Sequence, residues 1–177
     1  MDKKITILNT FFNDPAEEFH IREVARLTKL NHMTVRSYLN QFIKEGLLVK
    51  KSAKLFDVYT ANQSSKKWKN LKLFNNLERL RESNIVEDLE KFYDFPPIIL
   101  FGSYAHSADT IESDIDICII TNINKIFQAD TYKKTLKKQV SIHLFSKKTF
   151  DAKKKSNPEL INSICNGIVL SGQLEVL

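Results

Sequence analysis

Two aspartates inside an apolar run restrict how this chain can fold. Asp114 and Asp116 stand one residue apart in the stretch "SDIDICII". Strand side chains alternate between two faces, so the pattern predicts a strand with both carboxylates on one face. Aspartate is poorly suited to a strand interior, and an ionised carboxylate is costly to bury unless it is paired or binds a metal. The pair therefore predicts a site for a hard divalent cation such as Mg²⁺.

Ten residues separate these aspartates from a preceding Gly-Ser pair. Gly102 and Ser103 follow the apolar run "PPIILF", which predicts a short strand. Glycine lets the backbone turn tightly and approach a ligand. The serine hydroxyl and the amides after it can face an anionic phosphate when a helix begins at this point. The whole stretch thus predicts one pocket with a phosphate side and a metal side.

This spacing resembles the signature of the polymerase-beta-like nucleotidyltransferase superfamily, and the stretch resembles its small minimal nucleotidyltransferases. The resemblance extends over about residues 93–177. It implies that Gly102 and Ser103 hold the triphosphate of an NTP, and that Asp114 and Asp116 bind the catalytic divalent metals, Mg²⁺ or Mn²⁺. Such enzymes transfer a nucleoside monophosphate to an acceptor hydroxyl, and two metals activate the acceptor oxygen and neutralise the departing pyrophosphate.

Two departures from the family pattern bear on catalysis. The minimal enzymes usually read Gly-Ser-x-Ala-Arg-Gly, whereas "GSYAHS" places His106 and Ser107 at the last two positions. The family takes a third carboxylate from a later strand, and in "QVSIHLFS" Ser141 stands where that acid is expected. His143 shares the face of Ser141 and is a candidate catalytic base or metal ligand. The alternative is a half-buried strand histidine with a hydrogen bond.

The segments around that strand predict helices. "NKIFQADTYKKTLKK" predicts a helix before it, and the tail predicts another that begins near Pro158 and ends at Gly167, followed by a short strand. A basic cluster in the first segment is interpreted as a solvated helix face, with phosphate or nucleic-acid contact as the alternative. This cluster consists of Lys133, Lys134, Lys137 and Lys138.

The first third of the chain predicts three short helices and then two short strands joined by a basic turn. Asn31 is the predicted N-cap of the third helix, and Gly46 is its predicted stop. The predicted limits are residues 3–12, 20–30 and 34–46 for the helices and 47–61 for the strands.

This order and the wording "HIREVARLTKLNHMTVRSYLNQFIKEGLLVKK" resemble the winged helix-turn-helix segments of archaeal and bacterial transcription regulators. The resemblance implies that the third helix enters the major groove of double-stranded DNA and that the wing contacts phosphates. Some winged helices bind protein instead. The residues expected at the DNA are Thr34, Arg36, Ser37 and Asn40 on the third helix, and Lys50, Lys51 and Lys54 around the wing turn.

The charge distribution agrees with a polyanion partner for the N-terminal part. The net charge is +6. Residues 1–68 carry 12 Lys+Arg and 7 Asp+Glu, whereas residues 69–177 carry 15 and 14. The excess of positive charge therefore belongs to the segment that resembles a DNA-binding domain. The alternative is a set of solvated lysines without a polyanion partner.

Cysteine usage and hydropathy predict a cytoplasmic protein. Cys118 and Cys165 lie far apart in apolar surroundings and are predicted to be reduced core thiols, and no CxxC pair predicts a zinc site. The N-terminus lacks the pattern of a secretory signal, and no apolar run is long enough to span a bilayer, so no membrane partner is expected.

Together these patterns predict an α+β protein with three parts. These are an N-terminal winged helix-turn-helix over residues 1–62, a helical linker over 63–94, and a small mixed-sheet nucleotidyltransferase fold over 95–177. The apolar stripe of the linker, with Leu73, Leu77 and Leu80 and then Ile85, Leu89 and Phe92, can dock within the chain or form the seam of a homodimer.

Three functions follow from this organisation. The first is a metal-dependent nucleotidyltransferase that its DNA-binding domain directs or regulates. The second is a non-catalytic transcription regulator whose nucleotidyltransferase-like domain senses nucleotide or mediates dimerisation. The third is an antitoxin that nucleotidylates a partner toxin, because minimal nucleotidyltransferases often act beside a small helical toxin. The expected partners are DNA, a nucleotide, a second copy of the chain, and such a toxin.

Overall fold

The computed structural model describes residues 2–52 and 56–174 of the protein. The chain divides into two compact units, with the boundary between Lys72 and Leu73. We call the part up to Lys72 unit 1 and the part from Leu73 onward unit 2. Both helices and strands occur in each unit, which confirms the predicted mixture of α and β structure. The domain limits predicted at residues 62 and 94 stay a prediction.

Unit 1 has three helices followed by a pair of strands, in the order that the sequence predicts. A short strand between the first two helices is an addition. This strand pairs antiparallel with the second strand of the pair. The second strand also pairs antiparallel with the first, so it is the central strand of a three-stranded sheet. The elements are α1 (Lys3–Asn13), β1 (Phe19–His20), α2 (Ile21–Thr28), α3 (His32–Lys44), β2 (Leu48–Ser52) and β3 (Asp57–Ala61).

Local side chains set the limits of these helices. The Asn31 side chain accepts a hydrogen bond of 2.9 Å from the Thr34 amide and caps α3, as predicted. Gly46 follows the end of α3 with φ +71°, a left-handed conformation that suits glycine. Lys29 adopts φ 56° directly after α2 and turns the chain toward α3. The helices bury one apolar core, which includes Phe11, Val24, Val35, Leu39, Phe42 and Trp68.

Two helices correspond to the predicted helical linker, α4 (Lys66–Ser83) and α5 (Ile85–Phe92). Asn84 separates them with φ 59°. Most of the predicted apolar stripe packs into the core of unit 2: Leu80, Ile85 and Leu89 are fully buried there, and Leu77 is partly buried. The stripe therefore docks on the sheet of its own unit, and Phe92 at its end stays partly exposed.

Unit 2 is built on a four-stranded mixed sheet in the order β6 (Val140–Phe145), β5 (Ile115–Ile120), β4 (Ile98–Phe101) and β7 (Ile168–Ser171). β4 pairs antiparallel with β5 and β7, whereas β5 and β6 are parallel. The helix predicted before β6 is much shorter than expected, because only a 3-10 turn (Ala129–Tyr132) and α7 form there. The elements are β4 (Ile98–Phe101), α6 (Gly102–Ala105), β5 (Ile115–Ile120), α7 (Lys133–Leu136), β6 (Val140–Phe145), α8 (Lys147–Ser156), α9 (Pro158–Cys165) and β7 (Ile168–Ser171).

Alternation along the strands gives the sheet two covered faces. Ile115 and Ile117 pack with the stripe of α4 and α5, whereas Cys118 on the opposite face packs with Phe150 of α8 and Ile161 of α9. The two cysteines are free thiols, as predicted, and burial raises the pKa of Cys118 to about 12. Within the described part of the chain, no helix has the length and apolar character needed to cross a membrane.

Candidate active site

Gly102 brings the backbone directly against one of the predicted metal-binding carboxylates. It follows β4, whose last residue Phe101 is paired with Asp116 on β5. Its φ of +72° is a left-handed conformation that L side chains rarely adopt. A Cβ atom at this position would lie 2.5 Å from Asp116 Oδ2, so a side chain here would force the carboxylate to move. The backbone conformation therefore favours glycine, and its missing side chain leaves the Asp116 carboxylate in place.

Asp114 and Asp116 lie at the start of β5, but only Asp116 is within it. Asp116 is the second residue of the strand and is half-buried, whereas Asp114 precedes the strand and is exposed. The prediction that one strand would carry both is therefore wrong for Asp114, because the ladder with β6 begins at Ile115. The two acids nevertheless approach the same neighbour. Ser141 on β6 is paired with Asp116, and its Oγ donates a hydrogen bond of 3.3 Å to Asp114 Oδ2.

His143 forms a wall of the same site. It lies two residues beyond Ser141 on the same face of β6, as predicted. Its Nε2 lies 3.5 Å from Asp116 Oδ1, a distance that gives an ion pair when the imidazole is protonated. The ring packs edge-to-face on Phe101, with 5.0 Å between centroids. About a third of the His143 side chain is exposed, so the imidazole reaches both the carboxylate and solvent.

The turn after Gly102 has a left-handed residue at the position where the resemblance predicts the second glycine. Ser103 is half-buried in α6, and its carbonyl accepts hydrogen bonds from the amides of His106 and Ala108. Ser107 adopts φ 58°, the left-handed conformation for which glycine is the ordinary residue. This position is the one where the resemblance predicts the second glycine. His106, which stands where the family has arginine, is exposed.

The comparison with protein families agrees with this geometry. The model of the family described as "Polymerase beta, Nucleotidyltransferase" matches residues 83–174, just over half of the chain. The chain belongs to this family. A search of curated proteins found no match. The matched segment begins before α5 and ends after β7, so it includes all four strands of the sheet of unit 2.

Nucleotidyltransferases of this family generally use divalent metals, and the oxygen donors of Asp114 and Asp116 are of the kind that Mg²⁺ prefers. Mg²⁺ keeps several waters and is typically held by one or two carboxylates together with substrate phosphates. Asp116 supplies such a carboxylate against the Gly102 turn, and Asp114 supplies a second one that is hydrogen-bonded to Ser141, the β6 partner of Asp116. Within residues 2–52 and 56–174, however, no group of three His, Cys, Asp or Glu side chains could hold a metal. The serine at position 141 supplies a neutral hydroxyl where the family has an acid.

Three buried polar residues lie at the loop between Gly102 and Asp114. Two of them, Asn76 and Asp109, were not predicted from the sequence. Asn76, Asp109 and Lys138 are 2%, 2% and 7% exposed. Lys138 was interpreted as part of a solvated basic cluster. That interpretation is wrong for Lys138, because its ammonium donates to the carbonyls of Thr110 and Ser113 inside the unit. No sequence signal separates Lys138 from its lysine neighbours.

The residues predicted at DNA lie in unit 1, in one helix and one strand pair. On α3, Arg36, Ser37 and Asn40 are exposed and Thr34 is half-buried. Lys54 lies outside the described residues. The other residues of this predicted set are Lys50 and Lys51 of β2.

Both of these wing lysines have acidic partners. Lys50 Nζ lies 2.7 Å from Asp57 Oδ2, and this hydrogen bond raises the pKa of Lys50 and lowers the pKa of Asp57. Lys51 pairs with Glu18. All four side chains are well exposed, so a phosphate can compete with these acids for the lysines.

Proposed function

We propose that unit 2 binds an NTP with Mg²⁺ and transfers its nucleoside monophosphate to an acceptor hydroxyl. The observation that carries the proposal is the contact between the Gly102 turn and the Asp116 carboxylate. A glycine turn with a left-handed backbone lies against an acid that could ligate a metal, and a side chain in the turn would displace that acid. This arrangement suits a nucleotide whose phosphates lie between the turn and the metal, as the family membership of the chain implies.

The side chains of the site have distinct roles in this reaction. Asp114 and Asp116 hold the divalent cation, and Ser141 orients Asp114 through its hydrogen bond. The Gly102 turn and the Ser103 hydroxyl contact the triphosphate. The cation, when bound, stabilises the charge that develops on the transferred phosphoryl group and on pyrophosphate.

The transfer itself exchanges a phosphoanhydride bond for a phosphoester bond. A bond forms between the acceptor oxygen and the α-phosphorus, and the bond from that phosphorus to the pyrophosphate oxygen breaks. The acceptor hydroxyl loses its proton, for which His143 Nε2 is the candidate base. Its position supports this role, because Nε2 lies 3.5 Å from Asp116 Oδ1 and about a third of the side chain is open to an incoming acceptor.

The test is incubation with each radiolabelled NTP and Mg²⁺ or Mn²⁺, with protein, RNA and the chain itself as acceptors. We expect label to be transferred by the wild-type protein and not by the Asp114→Asn/Asp116→Asn variant. Transfer by both proteins at the same rate would show that the activity does not come from this site. Because protein acceptors are included, the assay also detects modification of a partner such as a toxin.

Ser141 favours a second candidate, a regulator that binds nucleotide without turning it over. A site with two acids can hold one cation and an NTP, whereas the family takes a third acid for the acceptor-activating metal. Calorimetry with Mg²⁺ and NTP separates the candidates, since the regulator binds NTP but transfers no label. We expect Ser141→Asp to raise transfer if the missing acid limits catalysis. An unchanged rate in that variant would exclude this limitation.

We propose further that unit 1 is a winged helix-turn-helix that binds double-stranded DNA with α3 in the major groove. The order of its helices and strands and the exposed polar row of α3 support this proposal. The test is a gel-shift titration at several salt concentrations, in which the logarithm of affinity should fall linearly with the logarithm of salt. Affinity that does not change with salt, or no shift with any duplex, would contradict the proposal.

A further inference from the structure

A buried polar network in unit 2 holds the loop that connects the two halves of the active-site motif. We call Asn76, Asp109 and Lys138 the loop clamp. Asn76 lies on α4, Asp109 lies in the loop between α6 and β5, and Lys138 lies just before β6. All three side chains are almost completely buried. The roles proposed above for the active-site residues use none of them.

The ammonium of Lys138 fixes the end of the loop next to Asp114. It donates to the carbonyls of Thr110 and Ser113, the latter at 3.2 Å, and it lies 3.6 Å from Asp109 Oδ2. An ammonium has three hydrogens, and these contacts provide three oxygen neighbours. The Ser113 carbonyl belongs to the peptide that joins Ser113 to Asp114. Lys138 therefore restrains the backbone directly before the first acid.

Asn76 fixes the other end of the loop. Its Nδ2 donates to the Tyr104 carbonyl at 3.0 Å and to Asp109 Oδ1 at 2.9 Å. Tyr104 lies two residues after Gly102, within α6, and its hydroxyl donates to the Asn76 carbonyl at 3.4 Å. Asp109 connects the two ends, because one of its oxygens faces Asn76 and the other faces Lys138.

Stability alone gives a weak reason for this network. Burial lowers the pKa of Lys138, and the carboxylate of Asp109 only opposes that effect. A buried ion pair is often no more stable than apolar residues of similar volume. A network that holds backbone carbonyls on both sides of a ligand-binding loop has a more specific consequence, since it fixes the loop before any ligand arrives.

We propose that the loop clamp consists of positioning residues that keep Asp114 and the Gly102 turn in the geometry required for divalent-cation binding. This proposal rests on the function proposed for unit 2. It assigns to Lys138, Asp109 and Asn76 an effect on metal affinity that acts through the loop, and not through contact with the cation. Outer residues that orient metal ligands commonly change metal affinity by about 10- to 100-fold.

The test is titration of the full chain with Mn²⁺ alone, by calorimetry and by the electron paramagnetic resonance signal of free Mn²⁺. The main variant is Asp109→Asn/Lys138→Met. It leaves the net charge unchanged and keeps an oxygen that can accept from Asn76, but it removes the donors to Thr110 and Ser113. We expect Mn²⁺ affinity to fall by about tenfold or more at a temperature where the variant is folded.

Two further variants keep the test decisive. Ile85→Val, in the core of the same unit, loses some stability without touching the loop and should bind Mn²⁺ like the wild type. Asn76→Ala acts on the other end of the loop and should weaken Mn²⁺ binding in the same direction, so a double variant that fails to fold does not end the test.

The outcomes separate this proposal from the function on which it rests. If Asp114→Asn weakens Mn²⁺ binding but the loop-clamp variants bind like the wild type, the clamp has no positioning role and the metal site stands. If the wild type and Asp114→Asn bind Mn²⁺ equally, the metal site itself is wrong and the clamp proposal is overturned with it. A loss of Mn²⁺ affinity in Ile85→Val equal to that in the double variant would assign the effect to stability and would overturn positioning.

Discussion

Gly46 in unit 1 and Gly102 in unit 2 have nearly the same backbone conformation but different surroundings. Their φ angles are +71° and +72°. No heavy atom of the described residues, apart from near neighbours in the chain, lies within 4 Å of a Cβ built at Gly46. At Gly102 the same atom would collide with Asp116. The first glycine ends a helix, whereas the second leaves space for the carboxylate of Asp116.

The contrast extends to charged side chains. In unit 1 the lysines predicted to contact DNA pair with acids on the surface, and such exposed pairs contribute little energy and exchange readily. In unit 2 Lys138 and Asp109 are buried and contact backbone and side-chain atoms on several sides. The wing lysines of unit 1 therefore present charges that a ligand can recruit, whereas Lys138 and Asp109 of unit 2 fix the geometry of a loop.

Substitution of each glycine by alanine gives the largest predicted difference between the units. Gly102→Ala should weaken Mn²⁺ binding by about a hundredfold, because the new Cβ displaces the Asp116 carboxylate. Gly46→Ala should cost about 1–2 kcal/mol of stability through backbone strain and leave Mn²⁺ affinity unchanged. Calorimetric Mn²⁺ titrations and denaturant unfolding of both variants measure these effects. Equal Mn²⁺ affinities of Gly102→Ala and Gly46→Ala would contradict the different roles assigned to the two glycines.

Substitutions on the surface of unit 1 should act on DNA alone. Arg36→Ala should cost about 1–3 kcal/mol of binding to a specific duplex, if Arg36 contacts a base edge. Lys50→Ala/Lys51→Ala should weaken binding to all duplexes and reduce the salt slope by about one unit per phosphate contact. Both variants should bind Mn²⁺ like the wild type. If Arg36→Ala and Lys50→Ala/Lys51→Ala both bind DNA like the wild type in gel shifts, α3 and β2 do not belong to the DNA interface.

Ser107 offers a smaller test of the motif turn in unit 2. Ser107→Gly should stabilise the protein by about 0.5–1 kcal/mol, because relief of the left-handed strain exceeds the entropy cost of glycine. Ser156→Gly, at the end of helix α8, is the matched control and should destabilise it. Chemical denaturation followed by circular dichroism measures both. A loss of stability in Ser107→Gly would show that its side-chain contacts outweigh the strain.

The smallest expected effect is the pH dependence of a surface carboxylate in unit 1. Hydrogen bonds from Lys67 and then Gln41 lower the pKa of Glu45 below its ordinary value of 4.5. Its contribution to stability is therefore present above about pH 4.5 and is lost as the pH falls through the lower pKa of the folded state. Glu45→Gln should flatten the acid side of the stability curve slightly. An identical curve for both proteins between pH 5 and pH 2 would contradict this assignment.

The sequence predicts the parts of the fold that local chemistry decides. Asn31 and Gly46 act as predicted because capping and left-handed turns depend on a few neighbouring residues. Gly167 was predicted as a helix stop, yet its more specific requirement is packing, since a Cβ there would lie 2.4 Å from the Leu100 carbonyl. Such a contact joins residues far apart in sequence and has no local pattern.

The candidate site also depends in part on contacts between residues far apart in sequence, which no local pattern predicts. Alternation along β6 places Ser141 and His143 on one face, as predicted, whereas the pairing of Ser141 with Asp116 and of Phe101 with Asp116 depends on a strand register that no local pattern gives. The buried position of Lys138 was not predictable, since its environment depends on the loop that it contacts and on α4. The Lys-rich helix α8 was also missed, although Ser146 is an ordinary N-cap, because Phe150 is the one buried residue of this fully described helix and its apolar periodicity is weak.

Calorimetric titration of an NTP in the presence of Mg²⁺ tests whether the Gly102 turn, Asp114 and Asp116 form a nucleotide and metal site. The wild-type protein should bind the nucleotide with an affinity that depends on Mg²⁺, and Asp114→Asn/Asp116→Asn should abolish that dependence because both carboxylates lose their charge. Nucleotide binding that is the same in the double variant as in the wild type would contradict the assignment of the nucleotide and metal site to the Gly102 turn and the two aspartates.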